Sequence, residues 1–332
     1  MGAMSAAGSG LNFAITGVGG FVAPRHLQAI RDAGGKVVAA LDPHDAVGIL
    51  DRYSLDTPFF TEFERFDRHI EKLRRGPESG RVHYVSICAP NYLHDSHIRT
   101  ALRVGADVIC EKPIVINPWN LDALAALERE AGRRVNTVLQ LRLQPSLREL
   151  RERIAAEPVG SPRHDVVLSY VTARGRWYDV SWKGSMERSG GVGTNIGVHL
   201  FDLMLWLFGG LQRLEVHLND RRRMSGLLEC PRARVRWYLS TDSADLVRFP
   251  VQAGKSTYRS ITIDGQETEF SDGFTDLHTR TYEAILAGRG FGIDDARPSI
   301  ELCHMVRNAG ITPAHPSAAH PALAGALATE GR

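Results

Sequence analysis

Excess charge of one sign, paired cysteines and long apolar runs are all scarce in this sequence. Its 40 lysines and arginines nearly balance 38 aspartates and glutamates, and a net charge of +2 gives no argument for a nucleic-acid or membrane-surface partner. The four cysteines lie far apart and form no CxxC pair, which argues against a disulfide framework or a zinc site. We find no internal repeat.

The apolar stretches are too short to predict a membrane span. The most apolar one, 200–211, is interrupted by Asp202 and falls well below the roughly 18 residues that a span needs. Residues 1–10 have no basic segment leading into an apolar one, so we expect a flexible leader rather than a signal peptide. The expected location is a reducing cytoplasm.

What is present is an ordinary globular composition, with 332 residues of which 43% are hydrophobic, enough for two domains. The first half alternates β-branched runs with helical patterns. Strands are predicted at 13–16, 36–41, 57–60, 83–88, 107–110 and 135–141, and helices at 24–33, 62–75, 94–104 and 120–132. Such alternation predicts a doubly wound α/β domain with a parallel sheet over 11–145.

The second half, 146–312, has strand patterns without regular helices between them. Strands are predicted at 165–173, 214–218, 232–240, 258–263 and 267–270, and helices at 193–208, 274–287 and 296–308. The dipeptide Asp264-Gly265 predicts a two-residue hairpin turn. We therefore predict an α+β domain on a large, mostly antiparallel open sheet, followed by a loose tail at 313–332.

A glycine-rich turn separates the first strand from the first helix. Glycines let the backbone approach a pyrophosphate, whose charge then rests on the helix N-terminus. Two registers of the three-glycine motif GxGxxG remain open. In one, Gly17 and Gly19 are followed by Val22 in the third position, and in the other Gly17 and Gly20 are followed by Ala23. A plain tight turn is the alternative, and the same loop contains Phe21.

Asp42, at the end of the second strand, strengthens the cofactor interpretation. A carboxylate at that position accepts hydrogen bonds from the adenosine ribose and repels a 2′-phosphate. The sequence therefore predicts NAD rather than NADP. The alternative is a helix-capping aspartate.

Two further strand ends carry polar residues at the edge where open α/β sheets bind ligands. Lys112, between Glu111 and Pro113, could hydrogen-bond a hydroxyl that is being oxidised, although an exposed lysine is often only a solvated charge. After the fourth strand, His94 and His97 have metal-like spacing but no third ligand. We expect them to line the cofactor loop or to cap the helix, and we predict no metal.

Three polar residues recur at helical spacing in the apolar segment 193–208. Asn195, His199 and Asp202 stand at i, i+4 and i+7, which predicts one shared helical face. A histidine has a pKa suited to accepting a proton from a hydroxyl, while asparagine can only orient a partner. A core histidine at a helix interface is the alternative for His199.

Aromatic and cationic side chains cluster in the second half. They comprise Arg174, Trp177, Tyr178, Trp182, Lys183, Arg232, Arg234, Arg236, Tyr258 and Arg259. Guanidinium groups suit phosphates and carboxylates, and aromatic rings stack on bases or sugars. Solvated sheet faces would explain isolated arginines equally well.

Taken together, these motifs resemble the glucose–fructose oxidoreductase, inositol dehydrogenase and rhizopine catabolism (Gfo/Idh/MocA) family. The resemblance rests on the glycine loop, CAPNYLHDSH, CEKP and GGVGTNIGVHLFD, and covers residues 13–308. It implies an N-terminal Rossmann domain, an α+β domain with an open antiparallel sheet, and NAD-dependent oxidation. The family commonly has aspartate at the position of Asn195, so proton abstraction falls on His199 or Lys112.

The resemblance also implies which residues form the site. Lys112 and His199 are the expected catalytic pair. The expected cofactor-binding residues are Gly17, Gly19, Gly20, Phe21, Val22, Asp42, Ala89, Pro90, Asn91, His94, Glu111, Lys112, Gln140 and Trp182. The expected substrate-binding residues are Lys112, Arg174, Tyr178, Lys183, Asn195, His199, Arg234, Tyr258 and Arg259.

Several stretches, among them TARGRWYDVSWKG and TYRSITIDGQETEFSDGFTDLH, resemble one branch of the family. Its members are bacterial dehydrogenases that oxidise the 3-hydroxyl of UDP-N-acetyl-D-glucosaminuronate for lipopolysaccharide O-antigen sugars. The resemblance implies tightly held NAD, reoxidation of the NADH by 2-oxoglutarate, and a homotetramer. A dehydrogenase of another sugar or polyol, or a non-catalytic NAD-binding sensor, are the alternatives.

Overall fold

The computed structural model describes residues 10–251, 254–268 and 276–323, and these form two compact units. The first unit contains the described residues up to 140 together with 276–297. The second contains 141–251, 254–268 and 298–323. Residues 276–297 were predicted to belong to the second domain, whereas the structure groups them with the first unit.

A parallel sheet forms the centre of the first unit. Its strands within the described residues are β1 (Asn12–Thr16), β2 (Lys36–Leu41), β3 (Phe59–Phe60), β4 (Tyr84–Ile87), β5 (Asp107–Cys110) and β6 (Val135–Thr137). The strand order is β3-β2-β1-β4-β5-β6, so the winding direction reverses between β1 and β4. Ligands of doubly wound sheets bind beyond the carboxyl ends of the strands at that reversal. The predicted fold class is confirmed.

Helices cover this sheet through apolar stripes. Those of the first unit that precede residue 140 are α1 (Ala23–Asp32), α2 (Val47–Leu50), α3 (Phe63–Arg75), α4 (His94–Arg103) and α5 (Trp119–Ala131). In α1, the side chains of Ala23, Leu27 and Ile30 are buried at helical spacing against the core around Phe13 and Ile15. Burial of each large aliphatic side chain contributes about 1.5–3 kcal/mol.

The second unit contains an open sheet and several helices. Its strands within the described residues are β7 (His164–Thr172), β8 (Arg213–Asn219), β9 (Arg223–Glu229), β10 (Ala233–Ser240), β11 (Thr257–Ile263) and β12 (Gln266–Glu267). The order is β12-β11-β7-β10-β9-β8, in which β7 and β10 pair in parallel and the other neighbours antiparallel. The mostly antiparallel sheet is therefore confirmed, as is the hairpin turn at Asp264 (φ 50°) and Gly265 (φ 81°).

The remaining helices follow the same chain order. They are α6 (Pro145–Ala155), α7 (Trp177–Val180), α8 (Met186–Ser189), α9 (Gly191–Asn195), α10 (Val198–Phe208), α11 (Leu277–Leu286) and α12 (Ile293–Asn308). Within the first unit α11 packs against α1, and the Thr137 backbone N–H donates to Phe291 O at 2.8 Å beside β6. These contacts explain why 276–297 belongs to the parallel-sheet unit.

The two faces of the second sheet have different neighbours. Trp237 of β10 meets Phe201 of α10 edge-on, with ring centroids 5.2 Å apart. On the opposite face, His320 accompanies Tyr238, and its Nε2 lies 2.9 Å from Ser169 Oγ. The segment around Ala318–His320 is therefore packed on the sheet, in contrast to the loose tail predicted from residue 313.

No single helix in the described ranges is long and apolar enough to cross a membrane. One bent pair, Met186–Asn195 with Val198–Phe208, passes that test by length and composition only. The angle between its two helices is 46°.

Candidate active site

The glycine turn lies at the sheet's reversal point, between β1 and α1. Gly17 has φ +76°, and a Cβ at this position would lie only 2.6 Å from the backbone N of Ala89, so the loops after β1 and β4 touch. Neither Phe21 nor Val22 donates its backbone N–H to an acceptor in the described part of the chain. Such N–H groups at a helix N-terminus suit a pyrophosphate, so this turn fits a dinucleotide cofactor.

Asp42 lies beside the same turn. Its side chain is buried, and its carboxylate accepts the Gly19 backbone N–H at 2.8 Å and the His44 N–H at 2.9 Å. A Cβ at position 19 would come within 3.0 Å of Asp42 Oδ2, which accounts for glycine there. The carboxylate is thus held against the turn, with lone pairs left for ribose hydroxyls.

We expect Asp42→Ala to weaken NAD binding by about 10- to 100-fold, because hydrogen bonds to a charged group are worth about 1.5–3 kcal/mol. The same change should reduce discrimination against NADP, since the carboxylate that repels a 2′-phosphate is gone. Isothermal titration calorimetry with both cofactors measures the two effects. Asp45→Ala, an exposed carboxylate on the same loop, is the matched control. Unchanged NAD affinity in Asp42→Ala would contradict the assignment.

His94 ties two candidate cofactor loops together. Its Nε2 lies 2.8 Å from Ala89 O and its Nδ1 lies 2.7 Å from Pro113 O. Burial lowers the pKa of His94, and the two carbonyl oxygens oppose that shift. The loop Ala89–Pro90–Asn91 is in this way fastened to the turn after β5, while the assignment of His94 to the cofactor site stays a prediction.

His97 has different neighbours from His94. Its Nδ1 lies 3.0 Å from Thr16 Oγ1, and its ring stacks on Phe63 with centroids 5.0 Å apart. Burial, with a smaller contribution from His94, lowers the pKa of His97 to about 4. These contacts give His97 a packing role beneath the glycine turn.

The depressed pKa of His97 makes the stability of the protein depend on pH. Below the usual histidine pKa of 6.5 the unfolded chain binds a proton that the folded chain accepts only near pH 4, so this stability is lost as pH falls through that window. His97→Asn, which keeps a partner for Thr16, should reduce the loss of unfolding free energy between pH 7 and pH 5 by about 2 kcal/mol. Urea unfolding at both pH values measures it, with exposed His44→Asn as the control. Equal losses in His97→Asn and the wild type would show this prediction to be wrong.

The turn after β5 positions Lys112. Lys112 is half-buried, whereas Glu111 is buried and its Oε1 lies 3.0 Å from His26 Nε2 and 3.1 Å from His278 Nε2. Glu111 was expected to bind the cofactor, but the structure shows its carboxylate engaged by histidines and by the Lys112 amide. Sequence reasoning assigned no role to these two histidines, although His26 stands among the buried positions of α1.

Gln140 follows β6 at the same edge of the sheet. Its side chain is buried, and its Oε1 has no hydrogen-bond partner among the described residues. An unsatisfied buried acceptor of this kind is costly unless a ligand or water supplies a donor. The assignment of Gln140 to the cofactor site remains a prediction.

Several predicted site residues come together in the second unit. Tyr178 is buried, and its hydroxyl accepts a hydrogen bond from Asn195 Nδ2 at 3.3 Å. Burial raises the pKa of Tyr178, so its hydroxyl stays protonated. Lys183 Nζ lies 5.2 Å from the Trp177 ring and 5.6 Å from the Trp182 ring. This aromatic group suits stacking on a base or a sugar.

The predicted single helix over 193–208 is wrong. The segment bends between α9 and α10, so Asn195 and His199 lie on different helices. The bend brings Gly197 so close to the sheet that a Cβ there would lie 2.6 Å from Leu239 Cδ1 and 2.4 Å from Gly193 O. His199 is half-buried in the first turn of α10.

Asp202, the third residue of the predicted face, is buried in an ion pair. Arg142 Nη2 donates to Asp202 Oδ1 at 2.7 Å and Arg142 Nε donates to Oδ2 at 2.9 Å. Sequence reasoning missed Arg142. The available signal was an aspartate inside the run Leu200–Phe208, since a buried charge needs a partner.

The predicted substrate-binding residues of the sheet divide between its two faces. Register pairing places Arg259, whose guanidinium lies 4.9 Å above the Tyr170 ring, on the face of Trp237 and α10. Arg234 and Tyr258 lie on the opposite face, because they alternate with residues of the α10 face. Arg174 leaves the end of β7, where its backbone N–H donates to Thr241 O. The structure therefore does not place Arg234 or Tyr258 on the sheet face that carries α10.

Two family models match consecutive parts of the chain. The model of the oxidoreductase family with an NAD-binding Rossmann fold matches residues 11–138, and that of the oxidoreductase family C-terminal α/β domain matches 151–313. The chain belongs to the Gfo/Idh/MocA oxidoreductase family. It is an NAD-dependent oxidoreductase, and its first unit is the NAD-binding domain.

Solved structures of this family include two of the WlbA (WbpB) dehydrogenase from Thermus thermophilus. The complex with NAD and alpha-ketoglutarate is 48% identical, with a TM-score of 0.87, over 94% of this chain and 99% of that chain. The complex with NAD and UDP-GlcNAcA is 47% identical, with a TM-score of 0.88 and the same coverage.

Curated relatives are more distant. The 2,7-anhydro-N-acetylneuraminate hydratase of Mediterraneibacter gnavus is 27% identical over 60% of this chain and 50% of its own length. The chain thus spans about half the length of that relative.

Proposed function

We propose that this oxidoreductase transfers a hydride from C3 of UDP-N-acetyl-D-glucosaminuronate to NAD and so forms the 3-keto sugar. The observation that carries the proposal is the 47% identity, across 94% of the chain, to a dehydrogenase crystallised with NAD and UDP-GlcNAcA. The cofactor, when bound, supplies the hydride acceptor. The chain itself must bind the sugar nucleotide and remove the hydroxyl proton.

Lys112 and His199 are the residues proposed for that proton. Lys112 lies in the turn after β5, and His199 lies in the first turn of α10. Both side chains are half-buried, a setting in which general acid–base groups work. Either can accept the proton, and Asn195 cannot because an amide has no basic site.

The sugar nucleotide is proposed to bind to cationic and aromatic side chains of the second unit. The proposed set is Arg174, Tyr178, Lys183, Asn195 and Arg259. A diphosphate and a carboxylate suit arginine and lysine, while the Trp177–Trp182 group suits the base. Trp182 is the proposed cofactor contact from this unit.

Reoxidation of NADH by 2-oxoglutarate, giving 2-hydroxyglutarate, is the second part of the proposal. It is supported by the Thermus thermophilus complex that contains both NAD and alpha-ketoglutarate. The wider setting proposed is a cytoplasmic homotetramer that acts in O-antigen sugar synthesis of bacterial lipopolysaccharide. Small molecules are then its partners, and no nucleic acid or membrane takes part.

Three substrates separate this proposal from oxidation of another sugar or polyol. UDP-N-acetylglucosaminuronate, UDP-N-acetylglucosamine and free N-acetylglucosaminuronate are offered in turn, with NAD, and bound NADH is followed by its absorbance. We expect turnover with the first and at least about 100-fold lower kcat/KM with the other two, because each lacks an anionic group whose hydrogen bonds are worth about 1.5–3 kcal/mol or more. Equal turnover of the free sugar would favour the alternative.

A further inference from the structure

A chain of buried polar side chains lies behind the turn that carries Lys112. It consists of Ser86, Tyr282, His26, Glu111 and His278, and all five belong to the first unit. Ser86 Oγ and Tyr282 Oη are 2.6 Å apart, and Tyr282 Oη lies 2.9 Å from His26 Nδ1. We call these five residues the Glu111 network.

One assignment of hydrogens satisfies every contact along the network. The Tyr282 hydroxyl donates to His26 Nδ1, and the His26 Nε2–H then donates to Glu111 Oε1. The His278 Nε2–H donates to the same oxygen. Burial raises the pKa of Tyr282 and lowers that of His26, which suits a neutral tyrosine and a neutral imidazole. The hydrogen bonds from the two histidines hold the pKa of Glu111 well below its usual range against the opposing effect of burial.

The other carboxylate oxygen connects the network to the catalytic turn. The backbone N–H of Lys112 donates to Glu111 Oε2 at 3.3 Å. On the other side of Lys112, the Pro113 carbonyl oxygen lies 2.7 Å from His94 Nδ1. Buried side chains therefore hold the peptide N–H of Lys112 and the carbonyl group of the next residue, Pro113.

We infer that Glu111, held by His26 and His278, is a positioning residue that fixes Lys112 at the carboxyl end of β5. His278 and Tyr282 come from α11, more than a hundred residues after the rest of the parallel sheet. The NAD-binding domain therefore completes its catalytic turn only with this late segment. The inference rests on the proposed role of Lys112 and adds residues that act through it.

The same three side chains offer the donor set of a metal site. Their ligand atoms, on His26, Glu111 and His278, lie within 4.8 Å of one another. Two observations favour hydrogen bonds instead. The N···O separations of 3.0 and 3.1 Å are those of hydrogen bonds, and the second nitrogen of His26 is already engaged by Tyr282. A metal ion is therefore an outcome that the experiment must distinguish.

The test compares His278→Leu with His278→Gln in the full-length protein loaded with NAD. Glutamine places an N–H donor close to the position of histidine Nε2, whereas leucine removes it. We expect His278→Leu to lower kcat for UDP-N-acetylglucosaminuronate by about 10- to 100-fold, with KM and NAD affinity within about threefold of wild type. His278→Gln should restore most of kcat. Equal losses in the two variants, in proportion to their melting temperatures, would indicate a purely structural role and overturn the inference.

Lysine labelling gives a readout that does not depend on the substrate. Limited acetylation followed by peptide mass spectrometry should show Lys112 modified about threefold faster in His278→Leu than in wild type, and near wild type in His278→Gln. Exposed Lys36 serves as the internal reference. Unchanged labelling of Lys112 contradicts the inference. If wild type fails to oxidise the sugar nucleotide, the proposed function is wrong. The labelling result still decides whether Glu111 positions Lys112.

Tyr282→Phe and Tyr84→Phe provide a second pair in case His278→Leu does not fold. Both remove one hydroxyl from a tyrosine of the first unit, but only Tyr282 belongs to the Glu111 network. We expect a lower kcat and faster Lys112 labelling in Tyr282→Phe alone. Elemental analysis of dialysed wild type completes the test. If wild type contains one metal ion per chain and His278→Leu contains none, these residues form a metal site, and the inference of a hydrogen-bonded network is overturned.

Discussion

Lys112→Ala lowers turnover by about 1,000-fold or more, while folding and NAD binding stay close to wild type. The expected size follows from the 10²- to 10⁴-fold contribution of a positioned acid–base group. Stability should change little because the Lys112 side chain is half-buried, and the turn is held by Glu111 and His94 through backbone groups. Stopped-flow formation of NADH in a single turnover measures the chemical step directly.

Two further lysine variants serve as controls for Lys112→Ala. Lys36→Ala removes an exposed lysine at the start of β2 and should leave turnover unchanged. Lys112→Arg keeps the charge but not the compact ammonium group, so it should remain strongly impaired. If Lys112→Ala retains more than about a tenth of wild-type turnover, proton transfer by Lys112 is excluded as an important contribution.

Asp202→Ala destabilises the protein by about 3–5 kcal/mol, because it removes the carboxylate that accepts two hydrogen bonds from the buried guanidinium of Arg142. The side chains of the pair are only 9% and 4% exposed, so water cannot compensate for the lost carboxylate. Urea unfolding at neutral pH measures the effect. Since Asp202 lies one turn after His199 in α10, activity should fall along with stability.

The control is an ion pair of the same chemistry at the surface. Arg99 and Asp95 in α4 are 39% and 26% exposed, so Asp95→Ala should cost less than about 1 kcal/mol. The double variant Arg142→Met with Asp202→Leu should recover much of the stability that Asp202→Ala loses, because both buried charges of the pair are replaced by apolar side chains. A cost below about 1 kcal/mol for Asp202→Ala would contradict the buried-pair interpretation.

The parallel sheet could be predicted from sequence because each strand has a strong local signal. β2 (Lys36–Leu41) and β5 (Asp107–Cys110) match their predicted bounds, since both are short apolar runs between polar turns. β9 (Arg223–Glu229) was not predicted. It contains Gly226, where a Cβ would lie 2.7 Å from the Trp237 ring, so a neighbouring strand dictates a residue that disfavours strands locally.

Long-range packing also explains the other differences in the fold. The bend before α10 depends on the approach of Gly197 to Leu239, and the position of α11 depends on its packing against α1. The order of Ala318–His320 depends on a contact with Ser169, about 150 residues earlier in the chain. The hydrophobic periodicity of the sequence predicts none of these long-range contacts, because it depends only on residues within one helix or strand.

The candidate site was predictable where motifs end strands and much less so where distant segments meet. The position of Asp42 beside the glycine turn follows from parallel topology alone. The hydrogen bond between His278 and Glu111 could not be predicted in this way, because the two residues are 167 positions apart in the sequence. Alternation predicted that Arg234 and Arg236 share a face, but it could not tell which face carries α10.

Transfer of deuterium from the sugar to the second substrate tests the central claim most directly. The protein is incubated with UDP-N-acetylglucosaminuronate deuterated at C3, with 2-oxoglutarate and with excess unlabelled NADH. The deuterium content of the 2-hydroxyglutarate formed is then measured by mass spectrometry. We expect 2-hydroxyglutarate that carries one deuterium, because the hydride from C3 passes to 2-oxoglutarate through NAD that stays bound. Unlabelled 2-hydroxyglutarate would contradict the reoxidation of bound NADH by 2-oxoglutarate. The absence of any sugar oxidation would contradict the proposed substrate.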